Sequence, residues 1–254
     1  MSSPAVDVLL ERARAWIAGD PDPATAADLH DLVLVASGDG EEAGAAQAEL
    51  ADRFRGTLAF GTAGLRGALG AGPNRMNRVV VQRAAAGLAA YLRETTGGTG
   101  GSVVIGYDAR HNSDVFARDT AEIMTGAGFT AWVLPRALPT PVLAFAIREL
   151  GCAAGVMVTA SHNPPQDNGY KVYLGDGSQI VPPADADIAR HIAAVGRLDQ
   201  LPRGGAGTVL GEDLVDHYLD TVAGLAVDGP RELAVVYTPL HGVGGTSVTQ
   251  VLET

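Results

Sequence analysis

From Leu58 onward, short apolar runs alternate with amphipathic stretches, and that alternation limits the chain to few architectures. Val103-Val104-Ile105-Gly106-Tyr107, Thr130 to Leu134 and Ala153 to Val158 read as buried strands. Between and around them, Val79 to Glu94, Asp114 to Ala127 and Thr140 to Leu150 carry helical patterns. Tyr170 to Leu174 and Gln179-Ile180-Val181 read as short strands around the turn Gly175-Asp176-Gly177. Pro182-Pro183 then opens a helix from about Ala184 to Val195. Strand and helix signals in this order predict an α/β fold, a sheet flanked by helices.

The segments on either side of this region differ in texture. Residues Val6 to about Phe54 read as helices, broken at Asp20-Pro21-Asp22-Pro23, with Thr25 as the expected cap of a helix from Ala26 to Val35. Leu201 to Gly207 is rich in Pro and Gly and reads as a linker. Beyond it come a helix, Glu212 to Leu225, and an expected strand, Leu233 to Tyr237. The glycine-rich loop Thr238 to Gly245 then leads into another helix. The expected division is a helical N-terminal extension over 1–55, an α/β domain over 56–200, and a second, truncated α/β domain over 208–254.

Composition excludes several classes. Hydrophobic residues make up 46% of the 254, enough for a substantial core. The net charge of −11 argues against nucleic acid as a partner, since such binders carry a basic stripe. A local basic pocket for phosphorylated substrates remains compatible with it. The single cysteine, Cys152, allows no internal disulfide and reads as a buried thiol. Met1-Ser2-Ser3-Pro4 has no leader pattern, and no apolar run approaches the ~20 residues of a membrane helix. The expectation is a cytoplasmic protein with no membrane partner, its oligomeric state unspecified.

Chemistry concentrates in Thr159-Ala160-Ser161-His162-Asn163-Pro164-Pro165 and the following Asn168-Gly169-Tyr170-Lys171. An isolated serine in such a loop would be an ordinary turn residue. Here it follows a rigid apolar strand, and His162, Asn163 and Lys171 supply donors and positive charge suited to a phosphorylated serine. Neighbouring side chains diverge, so Ser161 and His162 do not form a hydrolase pair.

This block resembles the phosphoserine loop of the α-D-phosphohexomutases, the phosphoglucomutase and phosphomannomutase family. Phe60-Gly61-Thr62-Ala63-Gly64-Leu65-Arg66-Gly67 resembles the family's early glycine-rich loop ending in Arg-Gly. Gly70-Ala71-Gly72-Pro73-Asn74-Arg75-Met76-Asn77 and the helical extension resemble the phosphopentomutase-like branch of the phosphoglucomutases. The resemblance covers residues 58 to 254, the N-terminal part of such a protein, and implies the mixed sheet of that family's first domain.

It implies an intramolecular phosphotransferase that interconverts hexose 1- and 6-phosphates of glucose or mannose through a sugar bisphosphate. Ser161 would be the phosphoryl carrier, Lys171 the acid/base or charge stabiliser, and His162 a catalytic-site donor to phosphate or sugar. Arg66 and Asn163 would bind phosphate or substrate. The family's magnesium ion would touch this chain only through the Ser161 phosphate. Its Asp-Gly-Asp-Gly-Asp-Arg loop has no counterpart here, and Asp20-Pro21-Asp22 and Asp185-Ala186-Asp187 are only superficially similar. A sugar 1,6-bisphosphate is the implied activator.

Gly106-Tyr107-Asp108-Ala109-Arg110 resembles the family's Asp-x-Arg segment and reads as structural, as does His241. Three alternatives stay open: phosphopentomutase activity, synthesis of glucose 1,6-bisphosphate, and a non-catalytic binding module. A metallo-phosphatase would need clustered His and Asp ligands, and the six histidines are scattered along the sequence.

Overall fold

The structure is a computed structural model and describes residues 4–98, 100–227, 229–230 and 232–253. Met1–Ser3, read above for a leader, and the terminal Thr254 lie outside them. The chain runs α1 (Pro4–Gly19), α2 (Pro23–Ala36), α3 (Glu41–Phe54), β1 (Leu65–Ala68), α4 (Arg78–Thr96), β2 (Ser102–Tyr107) and α5 (Ser113–Gly126). It continues through β3 (Thr130–Val133), α6 (Thr140–Glu149), β4 (Ala154–Val158), β5 (Asp167–Leu174), α7 (Ala184–Ala193), β6 (Thr208–Val209), α8 (Asp213–Ala223) and α9 (Gly245–Glu253).

The sheet has six strands in the order β1-β5-β4-β2-β3-β6. β2, β3, β4 and β6 pair in parallel, while β5 runs antiparallel to both β4 and β1. The predicted mixed, helix-flanked sheet is thus present. Its strands read as continuous apolar runs because helices cover both faces. On one face Val103, Ile105, Val156, Val158, Tyr170 and Val172 meet α4, α5 and α7. On the other, Val104, Met157 and Tyr173 meet α6 and α8. This is period-two alternation hidden inside uniformly apolar sequence.

Gly87 sets the approach of α4 to α7. A Cβ there would sit 2.5 Å from Ile192 Cγ1 and 2.7 Å from the Ile192 backbone nitrogen. The backbone of α7 cannot rotate away as a side chain could. Gly87→Ala should therefore destabilise the fold by about 1–3 kcal/mol, the usual cost of overpacking. Its gain in helix propensity, about 1 kcal/mol, offsets only part of that. A urea midpoint at or above that of the wild type would show that the two helices can separate without cost.

The N-terminal helices form their own cluster, with Leu10, Ala13, Leu29, Val33, Leu50 and Phe54 buried together. Asp22, not Thr25, caps α2: it accepts from the Ala24 amide at 2.9 Å, and Pro23 occupies the first helical position. Proline's fixed φ starts the helix three residues before the expected point. Thr25 instead donates to Asp20 at 2.9 Å. The extension is tied to the sheet domain by Arg78 to the Pro21 carbonyl and by the Arg75–Asp52 pair at 2.6 Å.

Two stretches differ from expectation. Thr208–Val209, placed above at the start of a second domain, pairs with β3, and Leu214, Val215 and Leu219 of α8 join the core over α6. Leu233–Tyr237, expected as a strand, forms none and is unpaired among the described residues, with Val236 fully exposed. A strand exists by pairing, and among the described residues none lies beside it. Gln179 makes only a single bridge, to Tyr173. No helix among the described residues is long and apolar enough to cross a membrane.

Candidate active site

The carboxyl ends of the parallel strands β2 and β4 open onto a cleft of about 870 Å³. Ligands of open α/β sheets bind at such strand ends. The cleft wall is built from the loop after β2 (Asp108 to His111), the loop after β4 (Thr159 to Pro165), Leu138 to Pro141 leading into α6, and Pro239 to Val243.

Ser161 stands in the loop after β4 with φ of 58°, a left-handed conformation unusual for a residue with a Cβ. Such a backbone costs on the order of 1–3 kcal/mol and persists only when its surroundings over-determine it. Here the Ser161 amide donates to Thr159 Oγ1 at 2.9 Å, and Thr159 donates in turn to Asp108 Oδ2 at 2.6 Å. Asp108 Oδ1 accepts from Ser113 Oγ at 2.7 Å and from the Arg110 amide at 3.0 Å. One carboxylate at the end of β2 therefore fixes both the start of α5 and the approach to Ser161.

The far side of the loop is held as firmly. Asn163 donates to Asp167 at 2.9 Å, and buried Asn168 donates to the His111 carbonyl at 2.9 Å and to Ser113 Oγ at 3.0 Å. Gly169 follows, where a Cβ would lie 2.6 Å from the Thr159 carbonyl oxygen and 2.8 Å from that of Leu65. Only glycine lets β5 pass between these two backbones.

Ser161, His162 and Asn163 all line the cleft, with Ser161 and His162 exposed. Lys171 and Arg66 are not among its lining residues. β5 places Lys171 opposite Met157, which does line the cleft, and β1 places Arg66 opposite Gly169. Opposed residues share a sheet face, so Arg66, Lys171 and Met157 lie on the same side.

Lys171 is buried. Burial holds its amine below the usual lysine range, the Arg66 charge lowers it further, and the Asp108 carboxylate pulls the other way. Arg66 Nε is buried without a hydrogen-bond partner among the described residues. An unpaired buried guanidinium N–H is costly, and an anion would satisfy it.

Other residues contribute, some of them read from sequence only as structural. Arg110 turns its guanidinium onto the loop after β4. His111 and His241 join His162 in lining the cleft, although the three are far apart in sequence. Thr159 could have been found from its place two residues before Ser161; His241, read from sequence as structural, lines the cleft instead.

Among the described residues no group of three or more His, Cys, Asp or Glu could hold a metal ion. Asp108 is committed to Thr159, Ser113 and Arg110, and Asp22 is a helix cap. Asp185 and Asp187 lie in the first turn of α7. The residues present therefore do not make a magnesium site by themselves.

Fold and site together define an α/β domain that presents a strained, firmly held serine at its strand ends. The chain belongs to the phosphoglucomutase/phosphomannomutase family: the model of that family's α/β/α domain I matches residues 57–198. It is 56% identical over 182 residues to a probable phosphomannomutase of Haemophilus influenzae, covering 70% of this chain and 37% of that protein. It is 35% identical over 258 residues to a probable phosphoribomutase of Schizosaccharomyces pombe, covering 97% of this chain and 42% of that protein. Among solved structures, a putative phosphomannomutase from Thermus thermophilus matches with a TM-score of 0.57 at 32% identity. That match covers 66% of this chain and 36% of the other. The chain thus spans about two fifths of the length of these curated relatives.

Proposed function

We propose that this chain supplies the phosphoserine and its surroundings to a mutase that interconverts hexose 1-phosphate and hexose 6-phosphate, of glucose, mannose or both. The observation that carries this reading is Ser161, held in a left-handed backbone at the mouth of the strand-end cleft.

In this reading the phosphorylated Ser161 gives its phosphoryl group to the free hydroxyl of a hexose monophosphate. The Ser161 Oγ–P bond breaks, a P–O bond forms to the sugar, and the sugar hydroxyl yields its proton. The resulting bisphosphate turns over, and its other phosphoryl group returns to Ser161. Such transfer depends on positioning and on charge stabilisation more than on covalent chemistry. Lys171, its proton affinity lowered, suits proton exchange with the reacting oxygens. Arg66 offers a planar fork to phosphate oxygens, and His162 and Asn163 offer donors at the cleft wall. Magnesium, if the Ser161 phosphate held it together with aspartates that this chain lacks, would supply positive charge to the transferring group.

A sugar 1,6-bisphosphate fits as activator, since it can phosphorylate an empty Ser161. The protein as its own cell makes it, or after incubation with glucose 1,6-bisphosphate, should carry phosphate on Ser161. Tandem mass spectrometry of the peptide spanning Thr159 to Lys171 reads this directly. Phosphate found only at another residue, or at none, would sink the assignment.

A second reading, pentose phosphate as substrate, is favoured by one observation. The relative named a probable phosphoribomutase aligns with 97% of the chain. The ratio of turnover on ribose 1-phosphate to that on glucose 1-phosphate decides between the two.

A further inference from the structure

We propose that Arg110 is the positioning residue of the phosphoserine loop: its guanidinium gathers the loop's carbonyls and so holds Ser161 in its reactive backbone conformation. This rests on Ser161 as the phosphoryl carrier. Arg110 Nη1 donates to the carbonyls of Pro164 at 2.8 Å and Asp167 at 3.0 Å. Nη2 donates to those of Ser161 at 2.8 Å and Asn163 at 2.7 Å. Nε faces Asp108 Oδ2 at 3.5 Å. All four Nη protons are thereby committed to the loop after β4 and the first residue of β5, and the fifth N–H faces the carboxylate that also anchors Thr159.

The geometry explains why an arginine is needed. Four carbonyl oxygens drawn to one point repel each other and gather there only around a cation. Lysine has three donors on a point charge and cannot span a planar set of four. The Ser161 carbonyl is one of the four, and the Ser161 amide is tied to Asp108 through Thr159. Both ends of the Ser161 peptide frame thus lead back to Asp108 and Arg110 at the end of β2. Those hydrogen bonds over-determine the φ of 58°.

This role differs from binding the substrate. Arg110 lines the cleft, so an arginine that bound sugar phosphate directly would show itself in KM. A positioning arginine shows itself in kcat, because displacing a reacting group by about 1 Å costs on the order of 10²-fold.

The test uses Arg110→Ala and Arg110→Lys in the protein as its own gene encodes it, with two readouts. Hydrogen exchange of the amides from Ser161 to Asn168 should speed up at least ~10-fold in the alanine variant and by less in the lysine variant, while those of α4 stay unchanged. Turnover should fall by about 10²-fold in the alanine variant with KM for sugar phosphate held within about twofold, and the lysine variant should recover part of it. Unchanged loop exchange overturns the proposal, as does a raised KM with kcat held. If the alanine variant does not fold, the lysine variant carries both readouts. A Ser161→Ala control that keeps full turnover removes the phosphoserine reading, while the exchange measurement still decides whether Arg110 holds the loop.

Discussion

Ser161→Ala should lower turnover of hexose 1-phosphate by on the order of 10⁴- to 10⁶-fold, the scale seen when a covalent nucleophile is removed. The protein should stay folded. Ser161 is exposed, and its contacts to Thr159 and Arg110 run through its backbone amide and carbonyl, which alanine keeps. Alanine also carries a Cβ, so the strain of the left-handed backbone is much the same. The change in unfolding free energy should then lie within about 0.5 kcal/mol, as for surface substitutions away from special features. Ser161→Thr sharpens the experiment. It retains a hydroxyl, but a β-branched side chain fits poorly at a φ of 58°. Threonine should therefore lose most of the activity while costing more stability than alanine does. Turnover by the alanine variant within tenfold of the wild type would exclude Ser161 as the carrier.

The core strands were legible because burial on both faces leaves uniformly apolar runs such as Val103 to Ile105 and Ala154 to Val158. Leu233–Tyr237 has the same composition and is no strand, because a strand is a relation between two segments and sequence shows only one of them. β6 was hidden for the converse reason. Thr208 and Val209 are both exposed and leave no burial pattern, yet they find β3.

In the site, Ser161, His162 and Asn163 were legible as a contiguous block. Lys171 and Arg66 were placed by resemblance, and strand register puts them on one face of the sheet. Arg110 was read as structural, but its partners escaped because they are backbone carbonyls, which any residue could supply. Asp108 was read as structural. It faces Arg110 at 3.5 Å and accepts from the Ser113 hydroxyl at 2.7 Å, without capping the helix backbone, and it also supports Thr159.

Lys171→Met should separate function from stability. Activity should fall about 10²- to 10⁴-fold, the range for a lost proton-transfer group, while the fold gains up to ~1–2 kcal/mol. The gain has a physical cause. Lys171 is 8% exposed, its amine makes no hydrogen bond among the described residues, and it lies beside the Arg66 charge with only Asp108 opposing. Its folded pKa lies below the unfolded lysine's 10.5, so the unfolded chain binds the extra proton between those two values. Wild-type stability should thus improve relative to the methionine variant as pH rises through that window. The variant's advantage should be fully present below the depressed folded pKa and fade towards pH 10.5. Urea titrations of both proteins across the alkaline range measure it, and a gap that widened with pH would contradict a depressed lysine. Lys171→Arg distinguishes two roles at the reacting oxygens. Arginine keeps the charge but cannot release a proton near neutral pH. Recovery of turnover by arginine would mean that charge is what the site requires, whereas activity as low as that of the methionine variant would assign Lys171 the proton.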